Sequence, residues 1–437
     1  MKILLLLCLF LSSVPGFAGP AYFGVKSTEA ILRFNSTIEI HVNRSISLEQ
    51  IKNKTPRGIE VLDAIDYQLS FLIGHFQSRS FTKAFRYPGV LGDKKTIQVK
   101  SISPVANGKQ LVAYTFYGKV NFQTTAFSYA QDVRVPLRLP LNPYSIYTQT
   151  LVGGKSRCTD EHYNSPGDFF YFWDIDQPGC PLKKANPFVL EFEGAMTKLD
   201  NTKSTYPEYN RIYGQEKLSI SVIVGFINGV NPGRLSKKDE GYASFMELGQ
   251  KLSDEGFTLL SQSREGINHL QTYQKQLTNA LGVNQTIDLN LILADSETDV
   301  NGTFTKRFKW ALENSQIVAY DGHSGLGGYL DIVRFPRLKL PSFYQIFFFN
   351  GCSSYPYYNS MYFASKTGGS KNLEILTAGL PTLTSTSVSN MIAFLSPFIS
   401  GRVTSYQTLL RNLERSNGDE TTYLMGVNGD EDNVWRP

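Results

Sequence analysis

The chain has 437 residues, of which 41% are hydrophobic and 13% aromatic, the latter mainly 24 Tyr and 29 Phe. This composition is sufficient to bury substantial hydrophobic cores. The formal net charge of +5 is dispersed along the chain without a basic run, so nucleic acid is not expected as a partner.

The first 18 residues are typical of a secretory signal peptide. Lys2 precedes the apolar run 3–11, and Gly16-Phe17-Ala18 places small residues before a cleavage site after Ala18. A membrane anchor is disfavoured, because spanning a bilayer needs roughly 20 apolar residues. We therefore expect a signal peptide (1–18), no stable membrane insertion, and a mature protein in the periplasm or the extracellular space.

The length of the chain after residue 18 exceeds what one hydrophobic core usually serves, so two domains are predicted. The first is a strand-rich accessory domain, an α+β unit over residues 19–205. The second is an α/β domain over residues 216–437. The boundary falls in the polar stretch 201–215, which has no clear periodicity.

The first domain alternates in period two, as strands with one buried face do. Strands are predicted at 38–42, 96–102, 111–122, 133–141 and 188–192. Pro136 and Pro140 place the strand 133–141 at a sheet edge, since proline cannot donate a ladder hydrogen bond. Leu62, Leu69 and Phe76 belong to an apolar stripe at helical spacing, which predicts one helix.

Three cysteines remain once Cys8 leaves with the signal. Cys158 and Cys180 flank a compact, turn-rich segment suited to a local disulfide, which leaves Cys352 unpaired. A metal site using Cys158, His162 and Cys180 is the alternative, but the spacing matches no common zinc pattern. No metal or cofactor is expected. The aromatic run 169–173 is interpreted as a packed loop core.

The second domain alternates buried strands with amphipathic helices, the pattern of a mainly parallel sheet covered on both faces. Strands are predicted at 218–227, 257–260, 287–294, 317–320, 346–349 and 373–377. Helical stripes run over 242–252, 267–281, 304–312, 388–399 and 406–413. In such sheets ligands bind at the carboxyl ends of the strands.

Two loops at strand ends carry candidate chemistry. The strand 317–320 leads into Asp321-Gly322-His323-Ser324-Gly325, and the strand 346–349 leads into Asn350-Gly351-Cys352. If the strands are parallel neighbours, His323 and Cys352 emerge at one edge of the sheet. An imidazole can serve a thiolate as acid and base, and glycines let backbone N–H groups approach an oxyanion.

These two loops resemble those of the caspase-like (clan CD) cysteine peptidases, a group that includes gingipains, legumain, clostripain and separase. The motifs are most similar to separase and gingipain-type members, over roughly residues 218–415. The resemblance implies a three-layer α/β fold, with His323 as catalytic histidine and Cys352 as nucleophile. It also implies oxyanion donors near Ser324, Gly325 and Gly351, and places Asn350 at a pocket that selects the substrate side chain.

The family usually has glycine directly after the histidine, where this chain has Ser324. The expected function is an exported cysteine endopeptidase acting on protein or peptide substrates, with its oligomeric state open. An inactive caspase-like envelope protein that binds a partner is the alternative, and a thiol transferase or ligase is a third. A serine hydrolase using Ser324 is disfavoured, because no histidine follows that serine.

Overall fold

A computed structural model describes residues 21–41, 45–127, 131–182, 186–200, 204–229, 236–416 and 423–437. The predicted signal peptide and the last residue of the strand predicted over 38–42 lie outside the described residues. Within these ranges, no helix is both long enough and apolar enough to cross a lipid bilayer. The described chain forms two large sheets, one in its N-terminal part and one in its C-terminal part.

The N-terminal part contains seven strands and four helices in its described ranges. The strands are β1 (Ser27–His41), β2 (Gly89–Val105), β3 (Lys109–Gln123), β4 (Asp132–Pro140), β5 (Leu151–Val152), β6 (Lys155–Ser156) and β7 (Val189–Lys198). The helices are α1 (Leu48–Lys52), α2 (Pro56–His75), α3 (Arg79–Phe85) and α4 (Ile146–Gln149). Two 3₁₀ turns cover Thr124–Phe127 and Phe169–Phe172.

Five of these strands form an antiparallel sheet in the order β2-β3-β1-β7-β4. The strand with the two prolines, β4, lies at the edge, as the sequence predicts. Helix α2 packs its apolar stripe onto this sheet. Gln68 of α2 fixes the packing by donating from its amide to Thr37 O (2.8 Å) and Pro140 O (2.7 Å).

The C-terminal part contains eight strands and six helices in its described ranges. The strands are β8 (Lys217–Gly225), β9 (Thr258–Glu265), β10 (Asn268–Thr278), β11 (Asn284–Ala294), β12 (Ile317–Asp321), β13 (Gln345–Asn350), β14 (Leu373–Thr377) and β15 (Gly426–Asn428). The helices are α5 (Tyr209–Tyr213), α6 (Glu240–Asp254), α7 (Thr303–Asn314), α8 (Ser360–Ser365), α9 (Ser387–Ile399) and α10 (Tyr406–Ser416). Short 3₁₀ turns cover Ile332–Arg334, Gly369–Asn372 and Thr384–Thr386.

These eight strands form one sheet in the order β15-β14-β13-β12-β8-β11-β10-β9. The five central strands, β14 to β11, are parallel, and the other three pair antiparallel at the two edges. Helices α6, α9 and α10 cover one face, and α7 and α8 cover the other. The prediction of an α/β architecture with a mainly parallel sheet is therefore confirmed.

The helix predicted over 267–281 is wrong, because this segment is strand β10. Its apolar residues happen to recur at helical spacing, but glycines with positive φ lie at both ends, Gly266 (φ 61°) and Gly282 (φ 78°). Each glycine sits in the short turn of a hairpin, one joining β9 to β10 and one joining β10 to β11. Turn chemistry and strand pairing thus override the apolar spacing.

The two sheets are joined by hydrogen bonds, one of which reaches a buried ion pair of the N-terminal sheet. Phe23 and Val427 exchange two main-chain hydrogen bonds (2.8 and 2.9 Å), so the beginning of the described chain extends the C-terminal sheet. Glu29 on β1 is 2% exposed and forms an ion pair with Lys119 of β3 at 2.8 Å. Tyr355, from the C-terminal part, donates to the same carboxylate at 2.5 Å. Breaking one partner of such a buried pair is strongly destabilising.

Two further carboxyl groups are buried at the end of the C-terminal sheet opposite the carboxyl ends of its parallel strands. Asp430 is fully buried and accepts a hydrogen bond from Thr205 Oγ1 (2.5 Å). Glu374 is also fully buried and accepts from the Asn433 amide. Burial raises the pKa of Asp430 to about 7 and holds the pKa of Glu374 well above its usual value.

Asp430→Asn is expected to weaken the pH dependence of stability. A carboxyl whose pKa is raised by folding binds a proton more tightly in the folded chain, so the free energy of unfolding falls as pH rises between the two pKa values. For Asp430 this window runs from 3.8 to about 7, with a slope of about 1.4 kcal/mol per pH unit. Urea unfolding of wild type and variant at pH 4, 5, 6 and 8 measures the difference.

Asp63→Asn is the matched control, because Asp63 is an exposed carboxylate on α2. It should leave the wild-type pH dependence intact. Equal slopes for Asp430→Asn and wild type would contradict a buried, protonated Asp430.

Candidate functional site

The parallel register of three neighbouring strands brings three loops to one edge of the C-terminal sheet. Asp321, the last residue of β12, pairs with Val224 of β8 on one side and with Asn350 of β13 on the other. Since parallel strands end together, the loops that follow β8, β12 and β13 leave the sheet side by side. The residues predicted to be chemically active lie on the second and third of these loops.

His323 and Cys352 line the same cleft, which has a volume of about 650 Å³. Both side chains are partly exposed. The remaining lining residues come from the loops after β8 and β12, from the loop after β11 and from the N-terminal part of the chain: His162, Tyr163, Asp168, Tyr171, Ile227, Gly229, Glu297, Ser324, Gly325, Leu326 and Tyr329. The structure therefore brings the predicted pair together at the carboxyl ends of the strands.

The hydrogen bond made by His323 defines which ring nitrogen can act as a base. His323 Nε2 lies 2.9 Å from the carbonyl oxygen of Ile227, in the loop after β8. A carbonyl oxygen only accepts, so Nε2 carries the hydrogen and the neutral ring has its free lone pair on Nδ1. A main-chain carbonyl thus orients the imidazole in the way that a carboxylate does in other hydrolytic sites.

Asp239 holds the loop that supplies this carbonyl. Its Oδ2 accepts from the N–H groups of Ile227 (3.1 Å) and Asn228 (2.7 Å), and its Oδ1 caps helix α6 by accepting from Tyr242 N (2.9 Å). Asp239 is 2% exposed. One buried carboxylate therefore couples the start of α6 to the orientation of His323, and nothing in the sequence near His323 indicates it.

Gly322 allows the histidine loop to pass close to β8. Its φ is +151°, and a Cβ there would lie 2.9 Å from Tyr320 Oη and 3.1 Å from Gly225 Cα. Any larger residue would displace the strand end or the tyrosine. Tyr320 Oη also donates to His323 O at 2.7 Å, which fixes the backbone of the histidine itself.

The predicted oxyanion residues surround the cleft in different ways. Ser324 and Gly325 line it, whereas Gly351 lies where the two loops touch, since a Cβ on Gly351 would be 3.1 Å from Gly322 O. Within the described ranges, the backbone N–H groups of Ser324 and Gly325 donate to no main-chain acceptor, and the Cys352 N–H faces its own sulfur. Unpaired N–H groups beside a thiol are suited to bind a developing oxyanion.

The Ser324 carbonyl, in contrast, is fully used. It accepts from Gly327 N (3.0 Å), Tyr329 N (3.2 Å) and Tyr358 Oη (2.8 Å). These three bonds fold residues 324–329 into a tight turn, in which Gly325 (φ 56°) and Gly327 (φ 89°) adopt left-handed conformations. Ser324 itself, directly after the histidine, is 4% exposed and part of this turn.

Cys352 is the only free cysteine among the described residues. Its Sγ lies 3.5 Å from Thr382 O and 4.0 Å from Thr382 Oγ1, in the loop after β14. Burial, together with the nearby Asp321 carboxylate, raises the pKa of the thiol. The thiol is therefore protonated at neutral pH in this arrangement and needs a base to become a nucleophile.

The expectation that Asn350 lines a substrate pocket is not met by its position. Alternation along β13 puts Asn350 on the face that α9 covers, together with Ile346 and Phe348. Asn350 is 1% exposed, donates to Asp321 Oδ1 (2.8 Å) and accepts from Asn390 of α9 (3.2 Å). Asn350 therefore lies buried beneath the cleft, between Asp321 and α9, and does not line it.

Asp321, which accepts the hydrogen bond from Asn350, is an acidic residue beneath the cleft. It is buried, and burial raises its pKa to about 6, although the hydrogen bond from Asn350 and the proximity of His323 act in the opposite direction. Asp321 precedes His323 by two residues, and the sequence alone assigned it no role.

The N-terminal part contributes cleft residues that the sequence interpretation did not assign to a site. Cys158 and Cys180 form the predicted disulfide, so neither thiolate is available for a metal. The enclosed residues, here called the disulfide segment (Cys158–Cys180), place Tyr163, Asp168 and Tyr171 against the cleft. The aromatic run is largely a packed core, as predicted, but Tyr171 serves both the core and the cleft.

Comparison with known proteins adds no assignment to this chain. No protein-family model matches it, and no curated protein is detectably similar in sequence. The geometry of the cleft is therefore the basis on which a function is proposed below.

Asp239→Ala is expected to slow alkylation of Cys352 by iodoacetamide at pH 7 by about tenfold or more. The loop carrying the Ile227 carbonyl loses its anchor. For metal-binding histidines, removing an orienting partner typically costs 10- to 100-fold, and we expect an effect of this order here. Alkylation rates measured by mass spectrometry across pH 5–9 test this expectation. The shape of the pH–rate profile on its acidic side should change together with the rate at pH 7.

The control is Thr55→Ala, which removes a side-chain cap of α2 far from the cleft. Both variants lose a helix cap, which costs about 1 kcal/mol, and urea unfolding of each variant checks that the protein remains folded under the labelling conditions. An Asp239→Ala profile that superimposes on wild type would show that Asp239 does not orient His323 through the Ile227 loop.

Proposed function

We propose that this chain is an exported cysteine endopeptidase of the caspase-like type, with Cys352 as nucleophile and His323 as general acid and base. The observation that carries the proposal is the hydrogen bond from His323 Nε2 to Ile227 O, which leaves Nδ1 basic in the cleft that Cys352 lines. A thiol with a raised pKa requires such a base.

The proposed reaction has two stages. His323 Nδ1 accepts the thiol proton, and the Cys352 thiolate attacks the scissile carbonyl carbon to give a tetrahedral intermediate. N–H groups of Ser324, Gly325 and Cys352 are the candidates to bind its oxyanion. The imidazolium then protonates the departing amine, the C–N bond breaks, and a thioester remains. In the second stage His323 takes a proton from water, hydroxide attacks the thioester, and acid and free thiol are released.

Export is supported by one structural feature besides the predicted signal peptide. The Cys158–Cys180 disulfide is characteristic of oxidising compartments outside the cytoplasm. Each cysteine side chain is almost completely buried. We accordingly infer that the protein acts in the periplasm or outside the cell.

A non-catalytic binding protein is the second candidate, and one observation favours it. The Cys352 sulfur contacts the Thr382 loop, and burial favours its protonated, unreactive form. The reactivity of the native thiol separates the two candidates. A transferase or ligase would differ from both by passing the acyl group to an added amine.

Cys352→Ala is expected to abolish cleavage of a peptide library, and His323→Ala to lower it by about 10²- to 10⁴-fold, the usual contribution of general acid–base catalysis. Liquid chromatography with mass spectrometry detects the products and reports specificity together with activity. His41→Ala, at an exposed histidine in the N-terminal part, is the control and should retain activity. An added amine nucleophile tests for transfer.

Iodoacetamide labelling provides the second readout. Native Cys352 should be alkylated faster than a free model thiol, and more slowly after His323→Ala. If the folded protein is not labelled, whereas the denatured protein is, the peptidase proposal is wrong and the binding protein is favoured.

A further inference from the structure

We propose that the disulfide segment is the substrate-selecting wall of the cleft, with Tyr163 and Asp168 contacting substrate and Tyr171 positioning the loop that carries Cys352. The wall selects against acidic side chains. This inference rests on the proposed peptidase function and assigns to the N-terminal part a share of the active site.

Tyr171 makes the direct connection between the segment and the nucleophile loop. Its hydroxyl donates to Ser353 Oγ at 2.8 Å, and both residues are fully buried. Ser353 follows the nucleophile and has a left-handed backbone (φ 48°), a conformation that costs free energy for a non-glycine residue. Ser353 N–H also donates to Leu380 O (3.2 Å). The turn next to Cys352 is thus held from both sides, and one side belongs to the N-terminal part.

The segment is rigid enough to act as a wall. Its disulfide is buried in the N-terminal core, and Asp174 anchors it by donating from its backbone to Cys158 O (2.9 Å) and accepting from Arg79 N (2.9 Å). The Tyr163 ring packs 4.9 Å from Tyr171. A fixed aromatic surface of this kind loses little conformational entropy when a ligand side chain packs on it.

Tyr163 lines the same cleft as the Cys352 sulfur. Burial raises the pKa of its phenol to about 12, and the charge of a Cys352 thiolate is the next cause of that rise. The same two causes, in the same order, hold the pKa of Tyr171 well above its usual value. Both phenols therefore stay neutral and lie within electrostatic reach of the nucleophile.

The charge of the rim gives the direction of selection. Asp168, from the disulfide segment, and the exposed Glu297, from the loop after β11, both line the cleft, and its described lining contains no Lys or Arg. These two rim carboxylates repel an anionic side chain and attract a cationic one, although Arg334, which donates to Ser296 O and Tyr329 O behind the rim, weakens the contribution of Glu297. The tyrosine rings add to the attraction, because aromatic faces favour cations.

A pair of charged thiol reagents of similar size tests the wall without requiring proteolysis. Trimethylammonioethyl and sulfonatoethyl methanethiosulfonate each transfer their thioalkyl group to a thiolate and release methanesulfinate. The cationic reagent should modify native Cys352 faster. Asp168→Asn and Glu297→Gln should each lower the cationic-to-anionic rate ratio by about threefold or more, and 0.5 M salt should have a similar effect.

The control is Glu247→Gln, an exposed carboxylate on α6, which should leave the ratio unchanged. The ratio cancels any change in the reactivity of the thiol itself, so a purely structural effect of a variant does not move it. A ratio that is insensitive to Asp168→Asn, Glu297→Gln and salt overturns the charge selection, even if the chain proves to be an active peptidase.

Tyr171→Phe tests the positioning role. It should lower the rate of Cys352 alkylation by neutral iodoacetamide, and kcat of cleavage, by about tenfold. Tyr114→Phe removes a buried hydroxyl of the same N-terminal part, one that donates to Gln68 Oε1 at 2.7 Å, and controls for loss of a hydrogen bond outside the disulfide segment and away from the nucleophile. Equal rates for Tyr171→Phe and wild type overturn the positioning role.

Peptide substrates connect the two proposals. Peptides with an acidic side chain near the cleaved bond should be poorer substrates than their amide analogues, and Asp168→Asn should narrow that difference. If no peptide is cleaved but the reagent ratio behaves as expected, the peptidase function fails and the charged wall stands. If peptides are cleaved without charge preference, the peptidase function stands and the charged wall is wrong.

Discussion

The site depends on the parallel register of β8, β12 and β13. Because Val224, Asp321 and Asn350 lie at equivalent positions, the three following loops begin at the same edge of the sheet. That constraint places the Ile227 carbonyl within 2.9 Å of the His323 imidazole, although 96 residues separate them in sequence. A shift of register by one residue would reverse the side chains between the two faces of the sheet and dismantle the cleft.

The N-terminal part is built into the same unit. Main-chain bonds between Phe23 and Val427, and the buried Glu29 carboxylate shared by Lys119 and Tyr355, fix the two sheets against each other. This attachment holds the disulfide segment against the cleft, because the segment is itself anchored in the N-terminal core. A rigid scaffold of this kind is what functional side chains require, since small displacements cost large factors in rate.

Much of the fold follows from local patterns that can be read along the chain. The prolines of β4 predict an edge strand, the cysteine count predicts the Cys158–Cys180 disulfide, and continuous apolar runs predict the central strands; all three are confirmed. The helix predicted over 267–281 is wrong because five apolar residues of this segment match helical spacing. The competing turn signal consists of only two glycines, Gly266 and Gly282, and becomes clear once the hairpins they form are seen in the structure.

The candidate pair can be identified from the sequence, because glycines and a strand end beside His323 and Cys352 are local features. Their surroundings depend on tertiary contacts. The packing of α9 places Asn350 beneath the site, and strand order brings the Ile227 carbonyl to His323. Docking of the two sheets brings Tyr171 to Ser353, 182 residues away in sequence. Such contacts join residues distant along the chain, and no periodicity or spacing within a segment encodes them.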